Sequence, residues 1–102
     1  MSKEITVTVA IDLKPEHADS FFDEWLPQLQ KQTIAFQGVR SARAVRQELH
    51  PTKVLFIDVF ESAEAAQDYF QWREKSGDLT KLAEILASPP QIDFWPISRE
   101  PS

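Results

Sequence analysis

The chain has 102 residues, 42% of them apolar and 26% charged, with a net charge of −5 and no cysteine. That is material for one domain with one core. It excludes disulfides and thiolate metal sites, and the acidic balance argues against nucleic acid and anionic membrane surfaces, both of which need a basic face.

The opening Met1-Ser-Lys-Glu-Ile-Thr-Val lacks an apolar signal segment, and no apolar run approaches the ~20 residues of a membrane span. The expected compartment is the cytoplasm. Ile5, Val7, Val9, Ile11 and Leu13 then alternate with Thr6, Thr8, Ala10 and Asp12, the period of a strand. Lys14-Pro15 ends it, and Pro15 suits the first turn of a helix. From residue 16 to about 36 a helical stripe runs through Ala18, Phe22, Trp25, Leu26, Leu29, Thr33 and Phe36. Pro27 interrupts it and predicts a kink, or two shorter helices meeting there. Gly38 is the stop.

Val39 to Glu48 reads as a solvated strand carrying Arg40, Arg43 and Arg46, a pattern suited to a sheet edge. A turn over 49–53 leads into Val54-Leu-Phe-Ile-Asp-Val-Phe60. Both faces of this strand are apolar except at Asp58, so both need cover. Ser62 is the expected N-cap of a helix over about 63–75 that stops at Gly77. Asp78 then caps a short helix that turns Leu79, Leu82, Ala83 and Leu86 inward. Ser88-Pro89-Pro90 breaks it. Ile92 to Ile97 forms a last strand, at an edge because Pro96 cannot donate to a ladder. Residues 99–102 are a polar tail expected to be loose.

The order β-α-β-β-α-β predicts an α+β, ferredoxin-like domain over residues 1–102. Its four-stranded antiparallel sheet has order 4-1-3-2, with the helices on one face. The first and third strands, the most apolar, then lie in the middle. The open face would show Thr6, Thr8, Ala10 and one apolar set of the third strand. Soluble monomers rarely leave such a face bare, so the expectation is a homodimer packed sheet on sheet, forming a dimeric α/β barrel.

Three stretches resemble the antibiotic-biosynthesis monooxygenase (ABM) domain of the dimeric α/β-barrel superfamily. They are Ile5-Thr-Val-Thr-Val-Ala-Ile-Asp-Leu-Lys-Pro15, then Phe36-Gln-Gly-Val39, then Phe60 to Gly77 with Leu79 to Pro90. The resemblance implies a small oxygenase needing neither metal nor flavin, acting on an aromatic, quinol-type substrate whose anion reacts with oxygen directly. The protein then supplies an apolar cavity, a proton acceptor and donors for the developing anion. The resemblance also admits a non-catalytic small-molecule-binding or stress-related barrel dimer. Haem-degrading relatives use an Asn on the first strand and a Trp and His in the second helical region. Here Thr8 stands near the Asn position and Trp72 could stand for the Trp, and no His follows His50.

The residues themselves offer four candidates. Asp58 interrupts an apolar strand, and is either a general base with raised pKa or the partner of Arg40 or Arg43. Tyr69 is either an acid or donor, or a buried ring with its hydroxyl in water. Trp72 could wall a cavity and Arg73 could hold an anionic substrate oxygen. Equally, Trp72 is core and Arg73 pairs with a carboxylate. Trp25 and Phe36 are core residues that, with Trp72, could line the cavity. His17 and His50, far apart and without Cys, make no metal site.

Overall fold

The computed structural model describes residues 3–101. Four antiparallel strands, β1 (Ile5–Asp12), β2 (Val39–Arg46), β3 (Lys53–Phe60) and β4 (Gln91–Trp95), form a sheet in the order β2-β3-β1-β4. This is the ferredoxin-like order predicted, with the two most apolar strands central. β4 ends before Pro96, two residues earlier than expected. Residues 96–101 are exposed and carry no regular structure, and Ser102, the end of the tail expected to be loose, lies outside the described residues.

The alternation of β1 sends Ile5, Val7, Val9 and Ile11 under the helices, all of them buried. β3 matches them in register: Ile5 faces Phe60, Val7 faces Asp58, Val9 faces Phe56 and Ile11 faces Val54. The opposite face carries Thr6, Thr8 and Ala10 beside Val59, Ile57 and Leu55. β2 joins β3 with one extra residue between Val39 and Ser41, a bulge that frees Arg40 at the edge to pair with Glu4 at 3.2 Å.

The first helical region runs as α1 (Pro15–Ser20), a π-helical turn (Phe21–Trp25) and α2 (Leu26–Ala35). Pro27 is the physical reason for the break. It has no N–H to give, and in a regular α-helix its ring would press on the carbonyl of Asp23. The chain takes the wider turn, in which Leu26 N–H reaches back to the Phe21 carbonyl. The extra residue also moves the buried stripe. Phe21 is the fully buried ring and Phe22 only half-buried, the reverse of what an uninterrupted 3.6-residue period predicts.

Gly38 turns the chain from α2 into β2 with φ +94°, where a Cβ would come within 2.7 Å of Ala65 Cβ. Ser62 caps α3 (Ala63–Ser76), its Oγ accepting from Ala65 N–H at 3.1 Å, and Gly77 closes the helix with φ +83°. Asp78 begins α4 (Asp78–Ile85) without capping it by its side chain. α4 buries none of its residues fully. Leu79 and Ala83, expected inward, are exposed, and Leu82 and Ile85 make the packing instead. Leu86, just beyond, is buried and bridges Leu13. No helix among the described residues is long and apolar enough to cross a membrane.

Candidate functional site

β3 brings Asp58 to the middle of the helix side, between Val7 on β1 and Ala42 on β2. Ala42 is too small to fill the space beside it, and a cavity of about 80 Å³ opens there. Its walls are apolar: Val9 and Phe56 from the sheet, Leu26 and Leu29 from α2, Phe70 from α3, Leu79 and Leu82 from α4. Asp58, Tyr69 and Arg73 also line it, as do the polar residues Gln30, Thr33, Arg43 and Asp78. The volume holds several waters or one small ring, well short of the ~300 Å³ of a drug-sized pocket.

Asp58 is 8% exposed and makes no hydrogen bond or ion pair among the described residues. Neither arginine that could have been its partner forms an ion pair with it. Arg40 pairs with Glu4 instead, and Arg43, opposite Ile57 in the ladder, lines the same cavity without bonding Asp58. Among the described residues no fully enclosed side-chain polar atom lacks a partner, so the bare carboxylate oxygens open onto the cavity that Asp58 lines. Burial pushes the carboxyl up from 3.8 to about 7, against a downward pull from the Arg73 charge.

Arg73 is also buried, at 4% exposure, yet every donor it owns is used. Nε donates to Tyr69 Oη at 2.8 Å. Nη1 donates to Gln32 Oε1 at 2.8 Å and to Asp78 Oδ2 at 2.7 Å. Nη2 donates to the Leu29 carbonyl and to Thr33 Oγ1, both at 2.9 Å. A guanidinium has five N–H groups, and these bonds account for all of them. The Trp72 ring covers the cation, 4.6 Å from its centroid.

The protons of the neighbours follow. Thr33 gives its one hydroxyl hydrogen to the Leu29 carbonyl at 2.9 Å. Its 2.8 Å contact with Tyr69 is therefore donated by the tyrosine. Tyr69 Oη thus gives its proton to Thr33 and accepts from Arg73. Asp78, at the edge of this network, sits below the usual carboxylate range. Burial raises it, but hydrogen bonds from Ser76 and Arg73 and the charges of Arg73 and Lys81 outweigh that.

The structure thus gathers Asp58, Tyr69 and Arg73 at one cavity. Trp25, Phe36 and Trp72 are not among its lining residues. Trp25 stacks edge-on against Phe21, while Phe36 and Trp72 pack together, 5.2 Å between centroids, beside the buried group of Ile5, Val7, Phe60, Ala65, Ala66 and Tyr69. Thr8, on the open face, accepts a hydrogen bond from Trp95 Nε1, so the sheet separates it from Trp72. Among the described residues no group of His, Cys, Asp and Glu is placed to hold a metal ion. Sequence reasoning missed Gln32, Thr33 and Asp78 as partners of Arg73. One signal was present: Tyr69 and Arg73 are i,i+4 neighbours on a helix, and Thr33 is the polar break in the apolar stripe facing them.

The fold and this cavity define a ferredoxin-like domain with a small apolar site between sheet and helices. The profile of the antibiotic biosynthesis monooxygenase family matches residues 4–74, and the chain belongs to that family. Solved structures share the architecture. A conserved protein of Methanosarcina mazei Go1 aligns at TM-score 0.81 and 15% identity over 92% of each chain. A protein of unknown function from Nitrosomonas europaea aligns at 0.79 and 18%, over 99% of this chain and 97% of that one. A candidate antibiotic biosynthesis monooxygenase of the same organism aligns at 0.76 and 16%, over 94% and 91%. No curated protein matches the chain.

Proposed function

We propose that the chain is a cofactor-independent monooxygenase for a small aromatic, quinol-type substrate, with Asp58 as its proton acceptor. The observation that supports it best is a buried carboxylate, free of protein partners, facing an apolar cavity. A base works best with a pKa near the working pH, and Asp58 lies at about 7. Asp58 takes the proton of a substrate hydroxyl, and the resulting anion is electron-rich enough to reduce oxygen. For an activated methylene the balance is R₂CH₂ + O₂ → R₂C=O + H₂O, every electron coming from the substrate. Arg73 helps only through its field, because it has no donor left for the oxyanion.

The same reading makes the protein a homodimer through its open sheet faces. Leu55, Ile57 and Val59, with Val45 of β2, form the apolar part of that face. Light scattering at micromolar concentration should give twice the chain mass; a monomer mass counts against it. Oxygen uptake with a panel of anthrones and quinols, and ¹⁸O₂ incorporation into product, test the chemistry. We expect Asp58→Asn to lower turnover by about 10²–10⁴-fold. Uptake unchanged in that variant removes Asp58 from the mechanism.

A non-catalytic binding dimer is the second reading, favoured by the saturation of Arg73, which leaves that buried cation no donor for a developing anion. Native mass spectrometry would then show retained ligand with no turnover. A Soret band on haem titration would favour a haem protein over both.

A further inference from the structure

The open face of the sheet is uneven in bulk and in charge. On it the small side chains Thr6, Thr8 and Ala10 of β1 lie beside the larger Val59, Ile57 and Leu55 of β3. The middle row crosses all four strands: Arg43 on β2, Ile57 on β3, Thr8 on β1 and Asp93 on β4. Trp95 Nε1 donates to Thr8 Oγ1 at 2.8 Å and Gln91 Nε2 to Asp93 Oδ2 at 3.1 Å, so these β4 side chains stand on that face. Arg43 sits between Ala42 and Ala44, which face the helices. Strand alternation therefore turns its side chain to the open face, even as it borders the Asp58 cavity. The row thus ends in opposite charges. Neighbouring strands lie about 4.8 Å apart, which puts Arg43 about 14 Å from Asp93, too far for an ion pair in one chain. Among the described residues neither has an ion pair.

We infer that a second copy of this chain covers the open face in one orientation, with β1 of each protomer over β3 of the other and Arg43 paired with the partner's Asp93. The twofold axis then runs along the strands. It keeps each row at its own height and reverses the strand order, so β2 lies over β4 and β1 over β3. Ile57 fills the space above the partner's Thr8, and Leu55 the space above the partner's Ala10, as inner faces about 10 Å apart interdigitate. Arg43 meets the partner's Asp93 at one edge, and symmetry repeats the pair at the other. The charged row at the end of β1 obeys the same rule, with Asp12 above the partner's Lys53. An axis across the strands does the opposite. It stacks β3 on β3 and β1 on β1, bulk on bulk and gap on gap. About the middle row it also sets Arg43 on the partner's Arg43, and like charges so juxtaposed cost affinity. This inference rests on the homodimer reading and deepens it, naming the strands that meet and the residues that choose between the two axes.

The test uses the full chain, which has no cysteine of its own. One chain carries Arg43→Cys and another, tagged to differ in mass, carries Asp93→Cys. The two are co-expressed and treated with a short bismaleimide that spans the ~10 Å between sheets. By mass spectrometry, links between positions 43 and 93 should outnumber 43-to-43 and 93-to-93 links by about tenfold. A charge swap reads the pair itself. Arg43→Asp sets acid against acid at both edges and should weaken dimerisation about tenfold; adding Asp93→Arg should restore it to within about threefold. An excess of 43-to-43 or 93-to-93 links would mean the crossed axis and overturn the inference. So would a dimer that forms no links, or a swapped chain no tighter than Arg43→Asp alone. The links are read without reversing any charge, so a swap variant that fails to fold does not spare the inference. Light scattering on the unaltered chain separates the two readings. A monomer mass there ends the homodimer reading and this inference with it, whereas a dimer with the wrong links ends this inference alone.

Discussion

Arg73 on α3 and Asp58 on β3 are both buried ions that line one cavity, and the fold treats them in opposite ways. Around Arg73 three helices converge, and each N–H has a partner from α2, α3 or α4. Across the ladders Asp58 faces Val7 and Ala42, neither of which can donate a hydrogen bond from its side chain. A charge that serves the fold is fully bonded, because an unmet buried charge is expensive. A charge left unbonded costs stability and is free for chemistry. The two regions therefore predict mutational effects of opposite sign.

The largest effect should come from Arg73→Met, which strips the shared partner from three helices and leaves Tyr69, Thr33 and Gln32 facing nothing. A loss of about 3–5 kcal/mol in urea unfolding is expected. A loss under about 1 kcal/mol would mean that the network is ornamental. Asp58→Asn should do the reverse. The folded protein holds a proton on Asp58 up to about 7, whereas an unfolded Asp releases it near 3.8. Between those values the native state binds more protons, so stability falls as pH rises. The full cost is present above pH 7 and is on the order of 4 kcal/mol at most, at 1.36 kcal/mol per pH unit. Asn at 58 should recover much of it at pH 8, change little at pH 4, and flatten the profile between.

Tyr69→Phe tests the middle of the network. It removes one acceptor from Arg73 and one donor to Thr33, and should cost about 1–2 kcal/mol. The smallest effect belongs to Asp78→Asn, under about 1 kcal/mol, because this residue is partly exposed and screened. Its pH signature is the useful part. The Asp78 carboxyl is held low in the fold, so its contribution is present above the unfolded pKa and fades as pH falls through the folded one. Asp78→Asn should weaken the acid limb of the stability profile, where Asp58→Asn leaves it alone.

Most of the fold was legible because β1 and β3 are written in strict alternation and the glycine and proline stops fall between elements. Asp58 was legible for the same reason: one acid in an apolar strand is visible without coordinates. Its isolation was not, since that depends on Arg40 turning to Glu4 at the bulge and on the smallness of Ala42 across the ladder. The partners of Arg73 were hidden by distance along the chain, as Gln32 and Thr33 lie about forty residues upstream. The inward face of α4 was misread because an eight-residue helix has room for only a narrow stripe, and tertiary packing chose Leu82 and Ile85 over Leu79 and Ala83.

The wide turn at Phe21–Trp25 has a consequence for where the rest of the helical region points. One residue corresponds to about 100° of helical rotation. Winding Phe21–Trp25 as an ordinary α-helix, with every residue kept, would swing everything after it by roughly that angle. Leu29 and Thr33 would turn off α3 toward solvent, and Arg73 would be stranded although no atom of it had been altered. The alignment of that buried cation is thus set some fifty residues upstream, by a spare unit of backbone lodged ahead of a proline.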